Sequence, residues 1–502
     1  YARIKCFPFI YTIRRAPVNS KSMTQQKNDL CVMKFGGTSV QDAGCIKRTA
    51  EIIASCTSPV VTIVSAMGGV TNRLIAGAHQ SATGDETAGP NLKEALLQQH
   101  VNAIHELIDD DNTRRQLSQE ISVVIDRVSD LCRGTSLLNE LTPRALDDIS
   151  SAGERLSARL VAAAVRKLGV ESVALDATDF IVTDAQHGQA EPLMDKTREA
   201  ARANLLPVLG AGVSPIVTGF IGATEEGKLT TLGRGGSDYS ATILGAALDA
   251  SEVIIWTDVD GVLSADPRLV EQARILNEIS YNEAAELAYF GAKVLHPKTL
   301  RPVTEAGIPV WIRNSFAPEK RGTKITPSGH PSATGVKAVT AFSDVALITL
   351  GGRGIVGVPD VLAKVFAATA SARANVLLIS QASSQNDICF VLHSADVEPT
   401  IAALREKLAL ELIQQKVEHI TVDKHVAIVA VVGERMRGSL GTSGRTFSAL
   451  ATAGVNVIAI AQGSSEYNIS FVIEATATKN AVEAVHQEFR LHERSLVQPG
   501  IV

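Results

Sequence analysis

One short segment constrains the fold of this chain more than any other, because it joins an apolar run to a cation, a diglycine and two hydroxyls: Lys34-Phe35-Gly36-Gly37-Thr38-Ser39-Val40. The apolar residues 30–33 predict a buried strand that delivers Lys34 to the edge of a sheet. The glycines let backbone N–H groups approach a ligand without obstruction. Thr38 or Ser39 can cap a following helix, whose positive end favours phosphate. The segment therefore predicts an anion-binding turn between a strand and a helix.

The order of residues in this turn excludes two familiar phosphate-binding loops. The lysine precedes the glycines, so the turn is not the GxxxxGK[ST] loop, and it contains no GxGxxG. A tight strand-to-helix turn with a solvated lysine remains the alternative at this point.

A second glycine-rich turn, TTLGRGGSD at 230–238, precedes an alanine-rich, apolar-spaced pattern at 239–248 that predicts a helix. Ser237 or Asp238 can serve as the N-cap of that helix. Arg234 offers a planar fork that suits a carboxylate. Together the two turns predict a polyanion and a carboxylate held side by side.

Length and composition limit the class of protein. At 502 residues the chain is expected to hold two or three domains. A net charge of -5 gives no reason to expect nucleic acid or an acidic membrane surface as a partner, and no apolar run is long enough to cross a bilayer. The six cysteines contain no CxxC pair, which argues against a zinc site and a disulfide framework and favours a cytoplasmic protein.

The first part of the chain alternates strand-like apolar runs, at 60–65, 216–220, 253–256 and 310–313, with helical patterns. This alternation predicts an α/β/α sandwich with a mostly parallel sheet. Residues 91–150 predict a helical insertion, and 327–334 read as a linker.

Beyond the linker the sequence repeats itself at a constant offset of 81 residues, which pairs Phe366 with Phe447 and Phe390 with Phe471. Each copy predicts a strand, a helix and two further strands. Two copies at so long a period indicate a duplicated small α+β domain rather than a solenoid. Whether the pair binds a ligand or only dimerises the protein stays open on this pattern alone.

Six motifs in order resemble aspartate kinase: KFGGTSV at 34–40, SAMGGVTN at 65–72, SAGE at 151–154, TTLGRGGSD at 230–238, WTDVDGV at 256–262 and FGAKVLHP at 290–297. The repeats resemble ACT domains, which bind amino acids in this family. The resemblance implies an amino-acid-kinase fold followed by two ACT regulatory domains. The expected divisions are an extension at 1–29, a catalytic domain at 30–325, a linker at 326–339 and ACT domains at 340–422 and 423–502. The extension is expected to be disordered.

The resemblance implies that MgATP phosphorylates the β-carboxylate of L-aspartate, the first step toward lysine, threonine and methionine. A carboxylate is deprotonated at neutral pH and needs no general base, so catalysis reduces to positioning and charge neutralisation. Magnesium would be held mainly by the ATP phosphates, with no metal site of the protein's own.

The same resemblance assigns the site residues. The catalytic residues would be Lys34, Arg234 and Asp238. Aspartate would contact Thr71, Glu154, Arg234 and Ser237. The nucleotide would contact Lys34, Gly36, Gly37, Ser39, Thr257, Asp258, Arg268 and Lys293. One departure is Leu263, where many relatives carry a tyrosine that faces the nucleotide.

An effector amino acid would contact Asn375, Gln381, Asn456 and Gln462 in the repeats. Lysine-sensitive relatives place an acid two positions after the site of Asn375, whereas this chain has Leu377. Threonine is therefore favoured over lysine. ACT pairs usually combine across chains, so a homodimer is the smallest expected assembly and a higher homo-oligomer is the alternative.

Several alternatives remain. Another amino-acid or carbamate kinase of the same fold is one, and a catalytically inactive amino-acid sensor is another. The repeats look most like the kinase half of bifunctional aspartate kinase and homoserine dehydrogenase enzymes, so the chain is expected to be monofunctional or a fragment. The basic residues before Asp29 suggest either a plastid-targeting segment or, slightly favoured, an artefact upstream of Met23.

Overall fold

The structure, a computed structural model, describes residues 29–291, 295–330, 332, 334–352, 359–381, 387–434, 436, 439–462 and 467–493. Two predictions fall outside these residues, namely the state of the extension before Asp29 and the position of Lys293. No helix in the described ranges has both the length and the apolar character needed to span a membrane.

The N-terminal part is built on ten strands: β1 Cys31–Phe35, β2 Val60–Val64, β3 Ser172–Leu175, β4 Ser214–Thr218, β5 Ile221–Ala223, β6 Leu229–Thr231, β7 Glu252–Thr257, β8 Glu278–Ser280, β9 Val310–Asn314 and β10 Thr323–Thr326. Eight of them form one sheet in the order β3-β4-β2-β1-β7-β9-β10-β8. Neighbouring strands are parallel except for β9 and β10. The mostly parallel sheet that was predicted is confirmed.

Among the residues that the structure describes in this part, ten helices accompany these strands: α1 Ala43–Ala54, α2 Val70–Ser81, α3 Ala88–Leu107, α4 Asp111–Leu138, α5 Pro143–Ser150, α6 Ala152–Lys167, α7 Met194–Gly210, α8 Gly236–Ala247, α9 Tyr281–Tyr289 and α10 Pro297–Ala306. Met33 and Phe35 pack with α1 and α6, whereas Val32 packs with α8 and α10. Because side chains alternate along a strand, Lys34 shares the α8 face with Val32. Helices α3, α4 and α5 form the predicted helical insertion.

The C-terminal part contains the strands β11 Val336–Gly351, β12 Val376–Gln381, β13 Asp387–His393, β14 His419–Gly433, β15 Ala459–Ala461 and β16 Asn468–Glu474. Its helices are α11 Pro359–Ser371, α12 Val397–Lys407, α13 Ala409–Ile413, α14 Thr442–Thr452 and α15 Thr478–Glu488. One antiparallel sheet runs β12-β13-β11-β14-β16-β15, so the two copies join through β11 and β14. Phe390 and Phe471 are buried at equivalent positions. Strand β11 already begins at Val336, inside the expected linker.

A buried ion pair joins the two parts of the chain. Lys337 Nζ of β11 lies 2.7 Å from Glu283 Oε2 of α9, and both side chains are almost fully enclosed. Burial raises the pKa of Glu283, while the charge of Lys337 lowers it. The pair therefore fixes α9 against the C-terminal sheet.

We expect Lys337→Met to lower the free energy of unfolding by about 3–5 kcal/mol, because it leaves a buried carboxylate without a cation. The pKa of Glu283 should rise further, so the loss should grow as pH increases above the ordinary range of a glutamate. Denaturant midpoints at acidic and alkaline pH would measure this. Lys424→Met is the matched control, since its pair with Glu398 is exposed and should contribute about 1 kcal/mol or less. Equal losses in the two variants would contradict the expectation.

Candidate functional site

The centre of the site is an ion pair between the first strand and the second glycine-rich turn. Lys34 Nζ lies 2.6 Å from Asp238 Oδ1, and the side chains are 11% and 18% exposed. Asp238 lies in the first turn of α8, where the helix dipole favours a carboxylate. A β-carbon on Gly36 would lie 3.2 Å from Lys34 Nζ, so glycine leaves room for the amine.

The predicted helix caps are wrong at both turns. Helix α1 begins at Ala43 and is capped by Asp42, whose Oδ1 accepts from the Cys45 amide at 2.9 Å. Helix α8 begins at Gly236 after Gly235, which has a left-handed φ of 71° and provides no side-chain cap. Thr38, Ser39, Ser237 and Asp238 therefore remain free of capping roles.

Part of the predicted phosphate cradle is used by the protein itself. The Gly36 amide donates to the Trp256 carbonyl at 3.2 Å. The Ser39 hydroxyl is buried and lies 2.8 Å from that of Ser315. The amide of Gly37 has no acceptor within the described part of the chain, and this residue is half-exposed. The Gly37 amide is thus the backbone donor of the cradle without an internal acceptor in the described residues, while the Lys34 amine is paired with Asp238.

Glu154 is a buried carboxylate that forms no ion pair with any described residue. It lies in the first turn of α6, and its Oε1 accepts from the Ala66 amide at 3.3 Å. Its Oε2 has no partner within the described residues. Burial raises the pKa of Glu154 to about 8, although the charge of Lys34 acts in the opposite direction. Such a group is suited to receive an ammonium ion.

The other residues predicted to bind the substrate lie on three elements. Thr71 is in the first turn of α2 and is half-exposed. Arg234 is exposed between Gly233 and Gly235, both with left-handed φ. Ser237 is buried, and a β-carbon on Gly219 would lie 2.7 Å from its Oγ.

The described contacts do not bring the residues predicted to bind the nucleotide together into one cluster. Thr257 ends β7 and donates through Oγ1 to Asp258 Oδ1 at 3.1 Å. Arg268 is 86% exposed and pairs with Asp266 at 2.6 Å, so no described contact joins it to Lys34. Lys293 lies outside the described residues.

The residues predicted to bind the effector are exposed and lie at the edges of the C-terminal sheet. Asn375 and Asn456 precede the edge strands β12 and β15, while Gln381 ends β12 and Gln462 follows β15. The two edge strands approach each other in space. Gln462 Oε1 accepts from the Ser443 hydroxyl at 3.3 Å.

Sequence reasoning missed Asp147, which is 2% exposed. Its Oδ1 accepts from Thr231 Oγ1 at 2.5 Å, and its Oδ2 from His187 Nδ1 at 2.8 Å and the Gly188 amide at 3.1 Å. Asp147 thereby connects α5 to the end of β6. Helix α5 precedes α6, which contains Glu154, and β6 precedes the turn that contains Arg234. Nothing in the local sequence separates it from Asp148.

His296 caps α10 by accepting from the Lys298 amide at 3.3 Å. Burial lowers its pKa, and the charges of Arg234 and Lys298 add to this effect. Within the described ranges, no group of three or more His, Cys, Asp or Glu is arranged to hold a metal ion.

Comparison with known proteins agrees with this architecture. Residues 29–314 match the amino acid kinase family, and residues 348–408 and 429–489 match the ACT domain. The structure of E. coli aspartokinase III in complex with aspartate and ADP aligns with a TM-score of 0.76 and 30% identity. The alignment covers 91% of this chain and 99% of that one.

Two relatives from Arabidopsis thaliana extend the comparison. Bifunctional aspartokinase/homoserine dehydrogenase 2, chloroplastic, is 36% identical over 94% of this chain and 52% of its own length. Aspartokinase 1, chloroplastic, is 33% identical over 92% of this chain and 81% of its own length. The chain thus spans about half the length of the bifunctional relatives it matches. Fold and site together define an amino acid kinase followed by ACT domains. More narrowly, the chain belongs to the aspartokinase family.

Proposed function

We propose that this protein is an aspartate kinase, which transfers the γ-phosphoryl group of ATP to the β-carboxylate of L-aspartate and releases 4-phospho-L-aspartate and ADP. The observation that carries the proposal is the Lys34–Asp238 pair together with the buried carboxylate of Glu154, whose Oε2 has no partner among the described residues. One cation for a transferring phosphate and one anion for an ammonium are what this reaction requires of the protein.

The role proposed for each residue follows from the charge of its side chain. Lys34 neutralises the charge that develops on the transferring phosphate, and Asp238 holds its amine in place at 2.6 Å. Glu154 pairs with the α-ammonium of aspartate. Arg234, presented between two glycines, binds an aspartate carboxylate with its planar fork. Thr71 and Ser237 complete the substrate contacts.

The site fits a nucleotide phosphate, because the Gly37 amide has no internal acceptor in the described residues and the charged Lys34 amine lies on the preceding strand. Thr257 and Asp258 lie at the end of β7 and would contact the remainder of the nucleotide, with Lys293 as a further partner. Magnesium ion, bound through the ATP phosphates and at most one protein carboxylate, would supply additional charge neutralisation.

The test is ATP- and magnesium-dependent formation of an acyl phosphate, trapped by hydroxylamine. We expect product with L-aspartate and none above background with L-glutamate, because Glu154 and Arg234 fix the ammonium and a carboxylate at one spacing. A protein that binds an amino acid yet turns over neither acid would favour the inactive sensor instead.

We further propose that an amino acid bound to the ACT domains regulates the kinase through α9. Tyr289, at the end of this helix, donates its hydroxyl to the Val376 carbonyl of β12 at 3.1 Å. Glu286 of α9 accepts from the Asn468 side chain of β16. In the sequence, helix α9 is followed after Phe290 by the segment with Lys293, a proposed nucleotide contact, so a shift of α9 would couple the effector strands to nucleotide binding.

Threonine is the proposed effector, because Leu377 offers no charge to a lysine ammonium. We expect threonine, but not lysine, to suppress acyl phosphate formation. Leu377→Glu should introduce sensitivity to lysine, and Ile413→Glu, at an exposed apolar position on α13 of the same repeat, is the matched control. Inhibition of the unmodified protein by lysine alone, as the lysine complex of the similar E. coli aspartokinase III makes conceivable, would overturn this assignment.

The remaining proposals concern assembly and location. The exposed apolar side chains on the edge strands, Ile379 of β12 and Ile460 of β15, favour a homodimer or larger homo-oligomer. The proposed location is the cytoplasm. The chloroplastic relatives support the plastid alternative.

A further inference from the structure

A cavity of about 700 Å³ lies on the α1 face of the large sheet. This volume is within the range of small-molecule sites. Cys31 and Met33 of β1 line it, whereas the Lys34 amine meets Asp238 on the opposite face. The cavity is therefore separate from the candidate active site.

Two of the residues that line the cavity carry a buried N–H group with no acceptor within the described residues, namely Trp256 Nε1 and Arg313 Nε. The same Arg313 guanidinium donates through Nη2 to the Pro318 carbonyl at 2.6 Å. Trp256 is 2% exposed, and the Arg313 guanidinium lies over its indole with Cζ 4.7 Å from the ring centroid. A buried donor without an acceptor is destabilising. This wall is therefore suited to a ligand that brings acceptor oxygens.

The charges near these donors favour a carboxylate. Burial lowers the pKa of the Arg313 guanidinium, while the nearby charge of Glu252 raises it. Glu252 accepts from Trp311 Nε1 at 2.9 Å and forms no ion pair with Arg313 in the described structure. Arg48, which also lines the cavity, stacks on the exposed ring of Phe316. Arginine forks and an indole N–H match the two oxygens of a carboxylate.

The rest of the lining limits the size and charge of the ligand. Met33, Ile52 and Ile254 offer an apolar surface for an aliphatic body. Asp29 and Glu51 also line the cavity and are exposed, so they disfavour a ligand with several negative charges, such as a nucleotide polyphosphate.

We propose that this cavity binds a small aliphatic carboxylate, with its oxygens on Arg313 and Trp256 and its chain on Met33 and Ile254. An amino acid with a branched aliphatic side chain carries the same carboxylate, and its ammonium would lie near Glu252. The free acid and the amino acid are two sources of one ligand chemistry.

The two tryptophans of the chain make the site directly measurable, because Trp311→Phe leaves Trp256 as the sole tryptophan. The probes are 4-methylpentanoate, L-leucine, which is the same acid with an α-ammonium, and inorganic phosphate. Saturating ADP, L-aspartate and L-threonine are present throughout to occupy the other proposed sites. We expect a saturable change in Trp256 emission with one or both carboxylates and none with phosphate.

Arg313→Gln should weaken this binding at least about tenfold, because a charge-assisted pair is lost. Arg321→Gln, an exposed change near position 311, should leave it unchanged. If L-leucine binds more tightly than the free acid, Glu252→Gln should remove only that preference. Calorimetry on the protein with both tryptophans repeats the binding test without the Trp311 change. The affinity for the carboxylate is compared there with that of Arg48→Gln. Absence of saturable binding in both formats, or equal binding by Arg313→Gln, would overturn the proposal.

Discussion

Lys34→Ala is expected to lower kcat for acyl phosphate formation by about a thousandfold, because removal of a preorganised donor at a developing charge costs about 10²–10³ in rate. The Lys34 amine is enclosed and held 2.6 Å from Asp238, so no other cation of the described structure is placed to replace it. Hydroxylamine trapping under saturating ATP and aspartate would measure the loss. Lys47→Ala, an exposed change on α1, is the matched control and should keep full activity.

The same substitution also leaves the Asp238 carboxylate without its cation, so the fold could weaken together with the activity. The double variant Lys34→Met/Asp238→Asn separates the two effects, because it removes both charges. We expect it to regain most of the thermal stability lost in Lys34→Met and to remain inactive. Recovery of activity in the double variant, or near-normal turnover by Lys34→Ala, would show that Lys34 does not act on the phosphate.

Glu154→Gln is expected to raise KM for aspartate by about 10- to 100-fold, since hydrogen bonds to charged groups contribute about 1.5–3 kcal/mol. KM for ATP should change little, because Glu154 faces the proposed ammonium site. Glu106→Gln, an exposed change on α3, is the control. An equal rise in KM for both substrates would point to a general distortion of the site.

The pH profile gives a second measure of Glu154. With its pKa near 8 in the free protein, the carboxylate must ionise to pair with ammonium. The kcat/KM for aspartate should therefore rise by about tenfold per pH unit below that value and level off above it. The glutamine variant should lack this limb. A wild-type profile that is flat between pH 6 and 9 would contradict the role assigned to Glu154.

The sign of the stability effect follows from the same group. Its pKa is raised in the folded state from 4.5 to about 8, so the folded protein binds the extra proton. The stabilisation from this bound proton is complete below pH 4.5 and is lost as the pH rises through about 8. Glu154→Gln should accordingly make stability less dependent on pH in that interval.

Much of the fold could be predicted because the signals are local. Apolar runs marked β2, β4, β7 and β9, and the constant offset of 81 residues marked the duplicated domain. The caps could not be predicted, because several residues near each turn can cap equally well. The N-cap residues are Asp42 and Gly235. The path by which each chain segment enters its helix decides which residue occupies the N-cap position.

The site was harder to predict wherever its properties depend on distant residues. The Ser39 hydroxyl meets Ser315, which is 276 positions away, so this internal contact has no local signal in the sequence. The raised pKa of Glu154 depends on burial, which only the folded protein defines. The partners of Asp147 come from two later segments, β6 and the turn at 187–188 before α7.

The proposed reaction transfers the γ-phosphoryl group of ATP to a carboxylate of L-aspartate. Phosphorus NMR of the protein with MgATP and L-aspartate would follow this transfer directly. We predict an acyl phosphate resonance that grows as the γ-phosphate signal of ATP declines, and that is absent with L-glutamate or with Lys34→Ala. Conversion of ATP to inorganic phosphate alone, or no loss of ATP with L-aspartate present, would contradict the account.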